Sequence, residues 1–205
     1  MGYVIFLFLA LLFNVKGFSQ CCSPGNPIGG TSALGVLDKG SSKLFLNYKY
    51  GNSSSYYEGS KPASSQFIED GNYSYSGINL LFGVSDRLTT ELEAGYFLNK
   101  TQNYMKGILP QQQVGSGITD ISLGAKFNFY KNKSKEIEVT SGAGIKVPLG
   151  SHNQTNAGVL IPYDLQPTTG TTDFIHNLFL YKGFLPLHLR FFLVNRVELK
   201  GRNKE

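Results

Sequence analysis

Apolar and polar residues alternate along most of this chain, in segments of about ten residues that run over 43–51, 73–84, 88–98, 118–130, 136–149, 173–183 and 187–201. A period of two places successive side chains on opposite faces of a strand, so seven strands are expected. The links between them alternate in length: 52–72, 99–117 and 150–172 are long, while 85–87, 131–135 and 184–186 are short. Soluble strands most often run ~5–6 residues, whereas crossing a bilayer at a tilt takes ~9–11. The rhythm predicts an all-β, antiparallel up-and-down transmembrane β-barrel, with long loops on one side of the membrane and tight turns on the other.

The alternation also sorts the side chains. Leu44, Leu46, Tyr48 and Tyr50 share one face of the first segment, and Leu88, Leu92, Ala94 and Leu98 share one face of the third. The polar faces collect Lys43, Lys49, Glu91, Glu93, Lys126, Glu136, Glu138, Lys146, Arg190 and Arg196, the candidate lumen-facing residues. Two readings of these charges stand: a field across a water-filled lumen that shapes permeation of polar solutes, or pairs that plug a narrow barrel. Aromatic residues gather near segment ends. Tyr48, Tyr50, Tyr73, Tyr75 and Tyr96 flank long links, while Phe127, Phe129, Tyr130, Tyr181 and Phe184 flank short ones. That distribution predicts two interfacial girdles; the ordinary β-propensity of Tyr and Phe is the plainer account.

Composition narrows the class. The 205 residues suit one domain, and 16% charged residues with 24 glycines suit strands and turns better than helices. A mean hydropathy of −0.13 does not exclude a membrane, because a barrel confines its hydrophobicity to one face of each strand. Beyond the N-terminus no apolar run approaches the ~18 residues of a spanning helix. Residues 1–20 read as a signal peptide, with the short apolar run 3–13 as its core, followed by a loop-like leader over 21–42 and the barrel over 43–205. Cys21 and Cys22 are adjacent and staple nothing; the alternatives are lipidation of Cys21 or a plain cut after Gln20. The formal charge of +5 is mild and scattered, which argues against nucleic acid as a partner.

The stretches GVSDRLTTELEAGYFL, GITDISLGAKFNFYKNK, GIKVPLG and LQPTTGTTDF resemble the outer-membrane barrels grouped as the transporter-like family of the meta-pathway of phenol degradation, in the versions typical of Bacteroidetes-type bacteria. The resemblance covers roughly 80–193. It implies a barrel in the bacterial outer membrane, inserted by the barrel-assembly machinery and surrounded by outer-membrane lipid. The family name implies uptake of small aromatic molecules, but the resemblance assigns no residue here to a solute. Such barrels close with an even strand number and finish on an aromatic residue, whereas seven segments are counted here and the tail ELKGRNKE is charged. A copy truncated by at least one closing strand is therefore expected.

No catalytic constellation stands out. His152 lies in a long link, His176 in the sixth segment and His188 at the start of the seventh, and nothing in the sequence pairs any of them with a particular serine and acid. No enzyme, metal or cofactor is expected. The preferred reading is a passive outer-membrane channel for small molecules; the alternative is a non-transport surface β-protein that works as a scaffold or binds ligand through its long polar loops.

Overall fold

The computed structural model describes residues 35–63, 67–107 and 110–202. The expected signal peptide over 1–20, both cysteines and the first part of the leader lie outside the described residues. The strands are β1 (Ser42–Ser53), β2 (Tyr56–Glu58), β3 (Lys61–Ala63), β4 (Ile68–Ser85), β5 (Leu88–Tyr104), β6 (Gln112–Ile118), β7 (Asp120–Asn132), β8 (Ile137–Pro148), β9 (Thr155–Asn156), β10 (Val159–Leu160), β11 (Asp173–Phe184) and β12 (Leu189–Leu199). The chain is all-β. One antiparallel sheet, ordered β1-β4-β5-β7-β8-β11-β12 with β6 paired to β5, rolls into a half-barrel. Neighbours in the sheet follow one another along the chain, apart from the short hairpins, so the topology is up-and-down.

The short links become the turns at one end of the half-barrel. Asn132 caps one of them, its Oδ1 accepting from the Lys135 amide at 2.8 Å. Another holds a single 3-10 turn, Leu185–Leu187, and closes on His188 with φ 51°. β12 therefore starts at Leu189, two residues after the alternation begins in sequence. Glu136, expected on a strand, sits instead in the β7–β8 turn with φ 48°.

The long links are more ordered than their composition suggests. β5 runs on to Tyr104 and pairs with β6 through Gln102↔Gln113, so most of 99–117 is a projecting hairpin. β2 and β3 form a small hairpin within 52–72. The link 150–172 carries β9, β10 and a 3-10 turn at Tyr163–Leu165, and it folds inward. Ile161, Leu165 and Gln166 are buried there. Lys100 Nζ donates to the Gln166 carbonyl at 3.1 Å, and the Gln154 amide donates to Gln166 Oε1 at 3.0 Å.

The two faces have opposite polarity. Leu44, Leu46, Leu80, Phe82, Leu98, Leu123, Phe129, Phe174, Phe191 and Leu199 stand exposed on the convex face, Leu46 at 76%. The concave face buries Asn79, Glu93, Lys126, Lys146, Asp173 and Asn177. The core is thus polar, with apolar surface outside it.

Three aromatic positions correct the expected girdles. Tyr75 is buried on the concave face, its ring 5.2 Å from Phe97, and Tyr73 meets the same ring edge-on at 6.3 Å. Tyr181 is also on the concave side, opposite Glu138 in register, with its ring 5.4 Å from Phe192. All three share the parity of the buried residues of their strands, and the polar face has room for a ring where it meets glycine. Tyr75 lies over Gly95 and Gly77, where a Cβ would collide with it. Tyr48, Tyr50, Tyr96, Phe127, Phe129 and Tyr130 are exposed on the convex side.

Gly95→Val should push Tyr75 off β5 and lower stability by about 1–3 kcal/mol, the usual cost of overpacking. Urea titration followed by far-UV circular dichroism measures it, and an unchanged midpoint would show that the ring moves without cost.

Candidate functional site: the charged concave face

Four strands supply the paired charges. Glu91 and Glu93 come from β5, Lys126 and Asp120 from β7, Lys146 from β8 and Asp173 from β11, all at period-two positions of the inner face. β12 adds Arg196 and Glu198. Lys126 Nζ lies 2.8 Å from Glu91 Oε2, and its side chain is 1% exposed. Lys146, fully enclosed, lies 2.8 Å from Asp173, 3.0 Å from Glu198 and 3.6 Å from Asp120. Arg196 reaches Glu93 Oε2 at 3.1 Å and Glu198 Oε1 at 3.1 Å. A buried ion costs several kcal/mol to desolvate, and only close partners with further hydrogen bonds offset that. Lys146 and Arg196 accordingly stand between carboxylates, and Lys126 lies against one.

Lys200, one residue past β12, bonds Glu198 at 2.8 Å and Asp173 at 3.0 Å. Burial acts to lower its pKa, but the hydrogen bonds to Glu198 and Asp173 outweigh that and hold the ammonium above the ordinary lysine range.

The ion pairs record how the sheet rolls. Arg196, Asn177, Gly142, Lys126 and Thr89 lie on one line of register across β12, β11, β8, β7 and β5. Arg196 nevertheless pairs with Glu93, four residues beyond Thr89 and four strands away. With ~3.3 Å per residue and ~4.8 Å per strand, that contact runs about 35° from the hydrogen-bond direction, the stagger of strands tilted in a barrel. Asn177 Nδ2 to Glu91 Oε1, at 3.2 Å, is displaced in the same sense.

Both ends of the concavity carry chain. At the short-turn end the residues before β1 cross it: the Val36 amide donates to Glu138 Oε1 at 3.3 Å, the Leu37 amide to Thr89 Oγ1 at 2.8 Å and the Lys39 amide to Asp86 Oδ1 at 3.1 Å. At the long-link end, 150–172 covers the upper parts of β5 and β6. Between them Asn79 Oδ1, Gln113 Oε1, Asp120 Oδ1 and Asn177 Oδ1 are buried and accept no hydrogen bond from the described residues. Buried oxygens of this kind are ordinarily satisfied by water.

The other sequence-derived candidates fall around this cluster. Lys43 and Lys49 have concave parity on β1, opposite Leu81 and Tyr75, but they lie on an edge strand, and Lys43 is exposed. Arg190 has concave parity near the short-turn end of β12 and is exposed. Glu138 faces inward beside Thr140, whose hydroxyl donates to it at 3.1 Å. Glu136, from its turn, accepts from the Tyr181 hydroxyl at 3.1 Å. The sequence reading left out Asp120, Asp173 and Asn177. Their signal was present: Asp120 continues the spacing of Ser122, Gly124 and Lys126, and Asp173 and Asn177 take alternate places on β11. No metal-holding group of three or more His, Cys, Asp or Glu occurs among the described residues.

Neither a family model nor a curated protein matches this chain.

Removing one partner of the cross-sheet pair should expose its cost. Arg196→Met leaves Glu93 buried beside Glu91 and should destabilise by about 3–5 kcal/mol, with much of the loss recovered when Glu93→Gln is added. A double-mutant cycle on the urea midpoint tests this; additive losses would mean that the pair does not hold the roll of the sheet.

Proposed function

We propose that this protein is a β-barrel of the bacterial outer membrane that passes small polar molecules along its charged inner face. One observation carries the reading: charge and amide groups are buried while leucine and phenylalanine face outward. Water as the surrounding solvent would favour the reverse, whereas lipid outside and a polar interior favour this arrangement. The length and stagger of the strands agree with it, as does the resemblance of 80–193 to transporter-like barrels. Outer-membrane lipid and the barrel-assembly machinery are the partners this reading implies.

A second reading has its own support. The concavity is crossed by 35–39 at one end and covered by 150–172 at the other, and its central cations are all paired. A barrel filled in this way would work as a scaffold or as a binding protein through its loops. Planar-bilayer recordings separate the two: steady conductance from folded protein supports the channel, and a flat trace supports the filled barrel.

The membrane assignment has a direct energetic test at Leu123, 48% exposed on the convex face. In a soluble protein Leu123→Arg would change stability by within about 0.5 kcal/mol; facing lipid it should cost about 2–4 kcal/mol. Reversible unfolding from phospholipid vesicles measures the difference, and a neutral result would remove lipid from the convex face.

A further inference from the structure

Across β7, β8, β11 and β12 the convex face is apolar along the middle of the strands except at one place. On β8, Ser141 stands between Val139 and Ala143; on β11, His176 stands between Phe174 and Leu178; on β12, Asn195 stands between Leu193 and Val197. The register gathers the three. Ser141 and Asn195 both lie directly opposite Leu178, on either side of it, and His176 is the next convex residue of β11. Ser141 Oγ is 3.1 Å from His176 Nε2. The serine hydroxyl can also donate to the Asn177 carbonyl at 3.2 Å, so a rotation about its Cα–Cβ bond chooses between the two acceptors. The sequence alone offered three histidines and no serine to pair with them; the pairing comes from the strand register.

Polar and ionisable side chains facing hydrocarbon are costly and ordinarily mark a function. A serine hydroxyl within hydrogen-bond distance of an imidazole is the arrangement of nucleophile and general base. His176 lies three residues from the start of β11, within about 10 Å of its long-link end at ~3.3 Å per residue. Ser141, four residues from the turn-side start of β8, lies opposite Leu178 near the middle of β11, so the pair faces the acyl chains of the surrounding lipid with His176 on the side toward the outer interface.

We propose that Ser141 and His176 form an acyl-transfer site on the lipid-facing surface, with the acyl ester of a membrane lipid as substrate. The membrane setting rests on the reading of the preceding section; the reactivity of the pair does not. Ser141 Oγ attacks the ester carbonyl carbon while its proton passes to His176 Nε2. The bond from that carbon to the lipid alcohol oxygen breaks, and His176 returns the proton to the departing alkoxide, leaving an acyl ester on Ser141. Water then attacks the acyl carbon and gives a proton to His176. Fatty acid departs and the proton returns to Ser141 Oγ. No oxidant, reductant or metal is needed for the balance.

The full chain, folded in detergent micelles, is treated with a fluorophosphonate probe, and the labelled residue is located by mass spectrometry. Label on Ser141 is expected. It should disappear in Ser141→Ala and slow by about 10²–10⁴-fold in His176→Ala, the range of general-base assistance, with far-UV circular dichroism showing that both variants remain folded. An unlabelled wild-type protein, or equal labelling of His176→Ala, overturns the site. Full chain reconstituted in phosphatidylethanolamine–phosphatidylglycerol vesicles should release free fatty acid, and Ser141→Ala should not. Hydrolysis of a soluble short-chain ester without release from vesicles would overturn the lipid as substrate. Failure of the membrane reading appears separately, in the stability of Leu123→Arg, because the labelling is done in micelles.

Discussion

The cations at the centre of this sheet, Lys126, Lys146 and Arg196, each have a carboxylate beside them, and the roll of the sheet depends on that pairing. Lys146 has no exposed side-chain surface and three carboxylates within 3.6 Å. Lys126 lies against Glu91, and Arg196 between Glu93 and Glu198. A flat sheet could not satisfy them, because Arg196 and Glu93 come from strands separated by three others. Curvature and charge pairing thus require each other: rolling the sheet brings the partners together, and the partners penalise its flattening. Such pairs give less net stability than apolar packing of the same volume, so their contribution is to the shape.

Glycine and aromatic residues fill the space that the charges leave. Tyr75 covers Gly77 and Gly95, and Phe97 packs against it with Lys100 Nζ 4.7 Å above the Phe97 ring. Lys100 also ties this layer to the inward-folded link through Gln166. At the other end the backbone of Asp38 lies so close to Gly83 that a side chain there would collide with it. The two segments that enter the concavity do so over glycine or through polar side-chain contacts, which is how their irregular backbone is satisfied beside the paired strands of the sheet.

The long strands were legible because their two faces meet different surroundings. Leu88, Leu92 and Leu98 against Thr89, Glu91 and Glu93 can be read only one way. Legibility fails where both faces meet the same medium. In the hairpin of β5 and β6, polar residues such as Gln102, Gln112 and Gln113 occupy both sides, so a strand passes for a loop. β11 is blurred for the opposite reason: Ile175 and Phe179 face inward opposite Leu178 and Leu180, since Phe179 packs on Phe192. Tyr73, Tyr75 and Tyr181 were misplaced because nearness to a segment end says nothing of face, whereas their parity does. The contact between Ser141 and His176 could not be read at all, since it depends on the register between two strands joined by a 24-residue link.

The seven long strands alternate in direction, so β1 and β12 climb the same way from the turn end. Brought edge to edge, they would meet as a parallel pair, with slanted hydrogen bonds and a weaker ladder than any other seam of this sheet. The roll that the ion pairs enforce therefore carries its own brake. It bends the two margins toward one another while their polarity makes each a better match for a descending strand than for the other.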